Sequence, residues 1–206
     1  MDQSQHKSAF VFVLVSLILG AVFCAGMVVN TTKARAGDLW NGCGLNAHGS
    51  IMAVNADVGS GFFVGTNGQT LGASALCDVQ MGKTVVGGFV EYDRFFGNAY
   101  DVGLRSDLTV GARAGYLFQP TTLLYVHGGR AWYETTGPSY QGWKLGVGSE
   151  LRLPTVQPLF LDVRYTHHMV ENTGGVDVTG DSLRVGLTLK FGAGLSLPQD
   201  TSRPLK

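Results

Sequence analysis

Two histidines stand side by side in Tyr165-Thr166-His167-His168-Met169-Val170-Glu171, with an acid close behind. Imidazole is a common metal ligand and the usual base at neutral pH. The spacing here serves metal binding badly. In an extended chain His167 and His168 point to opposite faces, so they do not share one ion. Gly142…Gly146-Val147-Gly148 has the look of a nucleotide loop. It lies inside a strand-like stretch with no helix after it, which fails the structural condition for that motif. Catalytic, cofactor-binding and metal sites are therefore all expected to be none. Cys43 and Cys77 are left, near the same end of neighbouring strands. Two readings apply to them. In an oxidising compartment they form a disulfide between adjacent strands. Otherwise they serve as two small apolar wall residues, which is the default reading.

The larger store of chemistry is charge placed by alternation. From Ser182 to Phe191, Leu183, Val185, Leu187, Leu189 and Phe191 alternate with Ser182, Arg184, Gly186, Thr188 and Lys190. A period of two puts the apolar set on one face of a strand and the Arg and Lys on the other. Unpaired charges do not sit in a dry core. One oily face and one charged face suit a wall between lipid and a polar interior. The same logic sends Asp78, Glu91, Asp93, Arg113, Lys144, Glu150, Arg152, Asp162, Arg164, Arg184 and Lys190 inward. Both signs are present in near balance, so the interior is expected to be a salt-bridged plug rather than an open channel.

The elements that must position these groups are eight strands. They are expected near 40–52, 69–80, 84–94, 107–118, 122–133, 141–153, 158–170 and 182–191. On the first, Cys43, Leu45, Ala47 and Ile51 share a face. On the fifth, turning Arg130 inward would also turn Leu124, Val126 and Trp132 inward, and the facing stays open. Short turns at 81–83, 119–121 and 154–157 alternate with Gly-rich polar connections such as 57–68, 95–106 and 171–180. Transmembrane barrels show that asymmetry, and a tilted barrel strand needs about 9–11 residues to cross. Trp40, Tyr92, Tyr116, Trp132, Trp143 and Tyr165 are the expected interfacial aromatics.

Composition agrees. Charged residues are 15% of the 206, against ~25% in soluble domains, and the 30 glycines are about twice the usual share. The formal charge is zero, so no basic footprint points to nucleic acid. Residues 1–36 read as a signal peptide: His6 and Lys7, an apolar run from Ala9 to Val29, then Ala34-Arg35-Ala36 as a small-x-small cleavage site. Cleavage there removes three of the 15 bases and one of the 15 acids, leaving 12 and 14 and a formal charge of −2. The run is also near the ~20 residues that span a bilayer, so an uncleaved inner-membrane anchor is the alternative. A lipoprotein cysteine at Cys24 is disfavoured by the bulky Phe23 before it. Residues 37–191 form the expected barrel and 192–206 a polar tail.

Several stretches carry a family resemblance. They are Val85-Val86-Gly87-Gly88-Phe89-Val90-Glu91-Tyr92-Asp93, Gly111-Ala112-Arg113-Ala114-Gly115-Tyr116-Leu117, Leu124-Tyr125-Val126-His127-Gly128-Gly129-Arg130-Ala131, Gly142-Trp143-Lys144-Leu145-Gly146-Val147-Gly148-Ser149-Glu150, and the Arg184-Val185-Gly186-Leu187…Lys190-Phe191 ending. In order and spacing the chain resembles the small eight-stranded outer-membrane barrels of Gram-negative bacteria. Among them it is most similar to opacity-type surface proteins of alphaproteobacteria, related in fold to the outer membrane protein A barrel. The resemblance implies an all-β, antiparallel, up-and-down transmembrane barrel in the outer membrane, monomeric and without cofactor. It implies lipid and lipopolysaccharide as surroundings, Phe191 as the aromatic read by the barrel assembly machinery, and loops that meet extracellular ligands. Lipid A deacylases, barrels of the same size, carry a Ser two residues after a His. Here neither His167 nor His168 has one, so the nucleophile is missing and no enzyme is expected. The expected role is a structural or surface barrel supporting envelope integrity and surface contact. A narrow porin-like channel is the alternative, and a soluble periplasmic lipocalin-like binding barrel a more distant one.

Overall fold

A computed structural model of the chain describes residues 39–57, 63–97, 103–154, 158–171 and 177–191. The expected signal segment, Cys24 and the tail after Phe191 lie outside the described residues. Eight strands follow in order: β1 Gly42–Asp57, β2 Phe63–Met81, β3 Thr84–Phe96, β4 Leu104–Gln119, β5 Thr122–Thr135, β6 Tyr140–Arg152, β7 Leu159–Val170 and β8 Asp177–Phe191. Each pairs antiparallel with the next, and β1 pairs with β8 to close the barrel. Closure leaves no unpaired strand edge. The fold is the expected eight-stranded, antiparallel, up-and-down barrel.

The strands run further than alternation alone suggests. β1 continues from Met52 to Asp57, and β2 begins at Phe63 rather than near Gln69. In those extensions polar residues fall on both faces, as in Asn55, Thr66 and Asn67, so the period-two signal fades although the pairing continues. The connections on that side shrink accordingly, to 58–62, 97–103, 136–139 and 171–176. We call this the loop side. The opposite, turn side carries the tight β2–β3 and β4–β5 turns.

The open facing of β5 is resolved by burial. Leu123, Tyr125 and His127 point inward, while Leu124, Val126 and Trp132 are 48%, 58% and 40% exposed on the outer wall. Arg130 goes outward with them, so its charge is met outside the lumen rather than within it. The interior has three layers. An apolar plug of Trp40, Val85, Leu117, Leu123, Tyr125 and Phe160 fills the turn side. A second, of Met52, Val54, Phe95, Ala131 and Tyr133, fills the loop side. The charged side chains lie between them.

Candidate functional site

Inward-facing positions come from every strand, so the charges meet across the lumen rather than along the chain. Next to the turn-side plug, Arg113 of β4 and Lys190 of β8 both engage Asp78 of β2 and Glu150 of β6. Arg113 reaches them at 2.5 and 2.9 Å, and Lys190 at 3.0 and 3.3 Å. At mid-height Arg164 and Arg184 share Glu91 and Asp162. Arg164 Nη1 lies 3.0 Å from Glu91 Oε2, and Arg184 Nη2 lies 3.5 Å from Asp162 Oδ2. Arg184 also contacts Glu91 directly. Towards the loop side Lys144 Nζ sits 2.7 Å from Asp107, 3.4 Å from Glu91 and 3.5 Å from Asp93. His48 Nε2 is 2.7 Å from Asp93 Oδ1. Ten of the eleven lumen positions read from the sequence are thus brought together and buried. Arg152 keeps the inward register at the end of β6 but is only half-buried, outside this network.

Asp107 joins as a further carboxylate, buried at 2% exposure. Its parity with Thr109 and Arg113 on β4 was the signal available for it. Tyr125 joins too: its hydroxyl contacts Asp162 and accepts from Arg164 Nε at 3.1 Å. His48, Glu91 and Asp93 lie close enough to share an ion. Arg184 fills that space, 3.2 Å from His48 Nε2 and against Glu91, and Lys144 reaches both carboxylates, so fixed cations already hold the trio. A cavity of about 10 Å³ lies among Glu91, Asp107, Lys144 and Arg184, near the size of one water.

His168 has a serine partner that linear spacing hid. Ser182 Oγ of β8 lies 2.9 Å from His168 Nε2, and Tyr133 Oη is 3.1 Å from Nδ1. The pair borders the one-water cavity. His167 points the other way, as strand geometry requires, onto the outer wall beside Asp181 at 2.9 Å.

The outer wall is the reverse of the lumen. Leu45, Ile51, Leu71, Val110, Val126, Leu145, Val147, Leu183, Val185 and Leu187 are all 44–63% exposed. Water-soluble monomers rarely show a continuous apolar surface of this extent. Aromatic residues border it. Tyr92, Trp132, Trp143 and Tyr165 lie towards the loop side, and Tyr116, Phe118 and Phe191 towards the turn side, each at least 36% exposed. Beside Trp143, Arg130 Nη2 donates to Glu171 at 2.7 Å and to Gln141 at 2.9 Å. Arg130 also stacks 5.2 Å over the indole. Glu171 lies past the end of β7, and Arg130's hydrogen bonds hold its carboxyl below the ordinary range.

Two expectations need correction. Trp40 is not a girdle residue. It precedes β1, is 1% exposed, and sits inside the turn-side mouth. Its Nε1 donates to Pro120 O at 3.2 Å, its ring packs on Phe160 at 5.0 Å, and Lys190 Nζ lies 4.3 Å from the ring centre. Its even-numbered position has the parity of the inward Asn46 and His48, so it faces away from the outward Leu45, Ala47 and Ile51. Cys43 and Cys77, by default two unlinked wall residues, are disulfide-bonded. The β1–β2 register sets them directly opposite one another, the arrangement in which two thiols on neighbouring strands meet.

No family model matches this chain, and no curated protein does. Among solved structures it is similar to Neisserial surface protein A, at 18% identity over 71% of this chain and 97% of that one, with a TM-score of 0.46. It is also similar to Ail, the attachment invasion locus protein of Yersinia pestis, at 16% identity over 71% and 99%, TM-score 0.37. A de novo designed transmembrane β-barrel gives 16% identity over 78% and 100%, TM-score 0.41. The strand count, pairing and closure above rest on this chain's own geometry.

Proposed function

We propose that this protein is an outer-membrane barrel with a structural and surface role. The observation that carries the reading is the inversion of the usual protein. Charged side chains fill the interior as ion pairs, and large apolar side chains cover the exterior. In hydrocarbon every backbone group must be paired internally, and a closed barrel does so. The belt anchors the protein among lipid and lipopolysaccharide, with aromatics at its two borders. The two apolar plugs and the ion-paired middle keep the wall sealed, and the loop side offers the surface for extracellular contacts. Short turns face the periplasm in barrels of this type, which places the Cys43–Cys77 bond in an oxidising compartment. Phe191 ends β8 on the outer face, where it serves the assembly machinery as a terminal aromatic. The protein acts as a monomer, without catalytic step or cofactor.

A lipocalin-like reading needs an apolar interior, and the buried Lys, Arg, Asp and Glu supply the opposite. A porin-like reading needs a continuous path, and the two plugs oppose it. The test is reconstitution of the detergent-refolded protein into vesicles and a planar bilayer. The expected result is a compact gel band that slows on boiling, with no steady conductance. A steady conductance would move the assignment to a channel, and failure to insert would remove the membrane reading.

A further inference from the structure

The apolar belt is not evenly thick. Along β1 the outward positions include Ala47, Gly49 and Ala53, while β2 and β8 on either side present Leu71, Leu183 and Val185. Between them lies an open groove of about 550 Å³, floored by Gly49 and walled by Ile51, Leu71, Phe96, Leu183 and Val185. Gly49 has no steric reason to be glycine. A Cβ there would meet Leu71 Cδ2 and Thr70 O at 3.6 Å, ordinary contact. A glycine inside a strand weakens it and often marks where a ligand approaches the backbone closely.

The groove's outward polar lining residue is Gln69, and just beyond the lining, one outward position further toward the loops than Leu183, stands Asp181, which pairs with Ala53 in the β1–β8 register. Its Oδ1 accepts from Tyr165 Oη at 2.5 Å and lies 2.9 Å from His167 Nδ1. A carboxylate here repels phosphate and attracts an ammonium group.

We propose that this groove is a binding site for one acyl chain of a membrane lipid whose headgroup carries an amine, with the ammonium at Asp181. The inference rests on the lipid-facing reading of the belt. The groove is continuous with that belt, which makes a lipid chain its immediate neighbour. A second barrel suits it less well: two convex walls would touch along the Ile51 and Leu71 ridges and leave the floor over Gly49 empty.

The test is native mass spectrometry of the refolded, delipidated barrel after addition of phosphatidylethanolamine or phosphatidylglycerol. Wild type is expected to retain one phosphatidylethanolamine in preference to phosphatidylglycerol. Gly49→Leu fills the floor and is expected to lose that adduct. Asp181→Asn is expected to retain a lipid but lose the preference. Both variants are expected to insert in vesicles and to keep heat-modifiable mobility, since both positions face outward. Retention by Gly49→Leu equal to wild type would overturn the proposal. So would efficient disulfide dimerisation of an Ile51→Cys variant in vesicles, which would assign the groove to a second copy. Wild type that inserts but holds no lipid overturns the groove alone; wild type that does not insert overturns the membrane reading as well.

Discussion

Arg113 of β4 grips Asp78 of β2 through two parallel bonds, 2.9 Å from Nε to Oδ1 and 2.5 Å from Nη2 to Oδ2. The strand between them passes at Gly87, which pairs with Asp78 on one side and Arg113 on the other. A bidentate guanidinium–carboxylate pair fixes orientation as well as charge. It therefore holds β2, β3 and β4 in one register and anchors the turn-side tier.

Breaking that pair should cost more than an exposed salt bridge would. Arg113→Met leaves Asp78 and Glu150 buried with Lys190 as their remaining cation. Removing one partner of a buried pair typically costs about 3–5 kcal/mol. Urea unfolding in lipid vesicles, followed by gel mobility, is expected to show a loss of that order. Arg113→Lys is expected to recover only part of it, because one ammonium cannot reproduce the fork. Unchanged stability in Arg113→Met would mean that the ion pairs are spectators.

Gly87 gives a separate test of the same corner. A Cβ there would collide with Asp78 Oδ1 and lie 2.5 Å from Cys77 O. Gly87→Ala is therefore expected to destabilise by roughly 1–3 kcal/mol, the usual cost of overpacking. Gly49→Ala, with room for its methyl group, is the matched control and is expected to be near neutral. Equal effects in the two variants would contradict the geometry.

The three tryptophans should report their positions directly. Trp132 and Trp143 are 40% and 50% exposed on the outer wall, and Trp40 is 1% exposed inside. With the barrel in vesicles containing brominated lipid, single-tryptophan variants retaining Trp132 or Trp143 are expected to be strongly quenched. A variant retaining only Trp40 is expected to be quenched weakly. Strong quenching of Trp40 would restore it to the girdle and leave the turn-side mouth without its stopper.

That residue also marks how far the sequence could be read. Where one face is oily and the other charged, as from Leu183 to Phe191, alternation located the strand and both of its faces. Ten lumen charges could be assigned that way. Trp40 was the exception: an aromatic at a strand end fits the girdle by residue type, while its parity with the inward Asn46 and His48 pointed the other way. Arg130 left the facing of β5 open for a different reason: its charge is answered by Glu171 on the outside, and sequence does not show cross-strand partners. The Ser182–His168 contact and the direct facing of Cys43 and Cys77 likewise depend on register. Register is set by turn geometry and by the hydrophobic pattern over the whole paired length, not by the few residues around either contact.

The Cys43–Cys77 bond lends itself to the most economical experiment. It closes a separation of 34 residues, and a chain-entropy account assigns a loop of that length on the order of 3–4 kcal/mol. Since β1 and β2 already pair along their whole length, part of that ordering is duplicated by the sheet. The expected outcome of reduction, or of a Cys43→Ala/Cys77→Ala double variant, is a barrel that still closes but unfolds at lower urea. Its gel mobility before boiling should stay compact. The loss should appear mainly as faster unfolding, if the bond locks the β1 end after the strands have paired. Loss of the compact band on reduction would show instead that the bond is required for closure, and would move it from the end of assembly to its beginning.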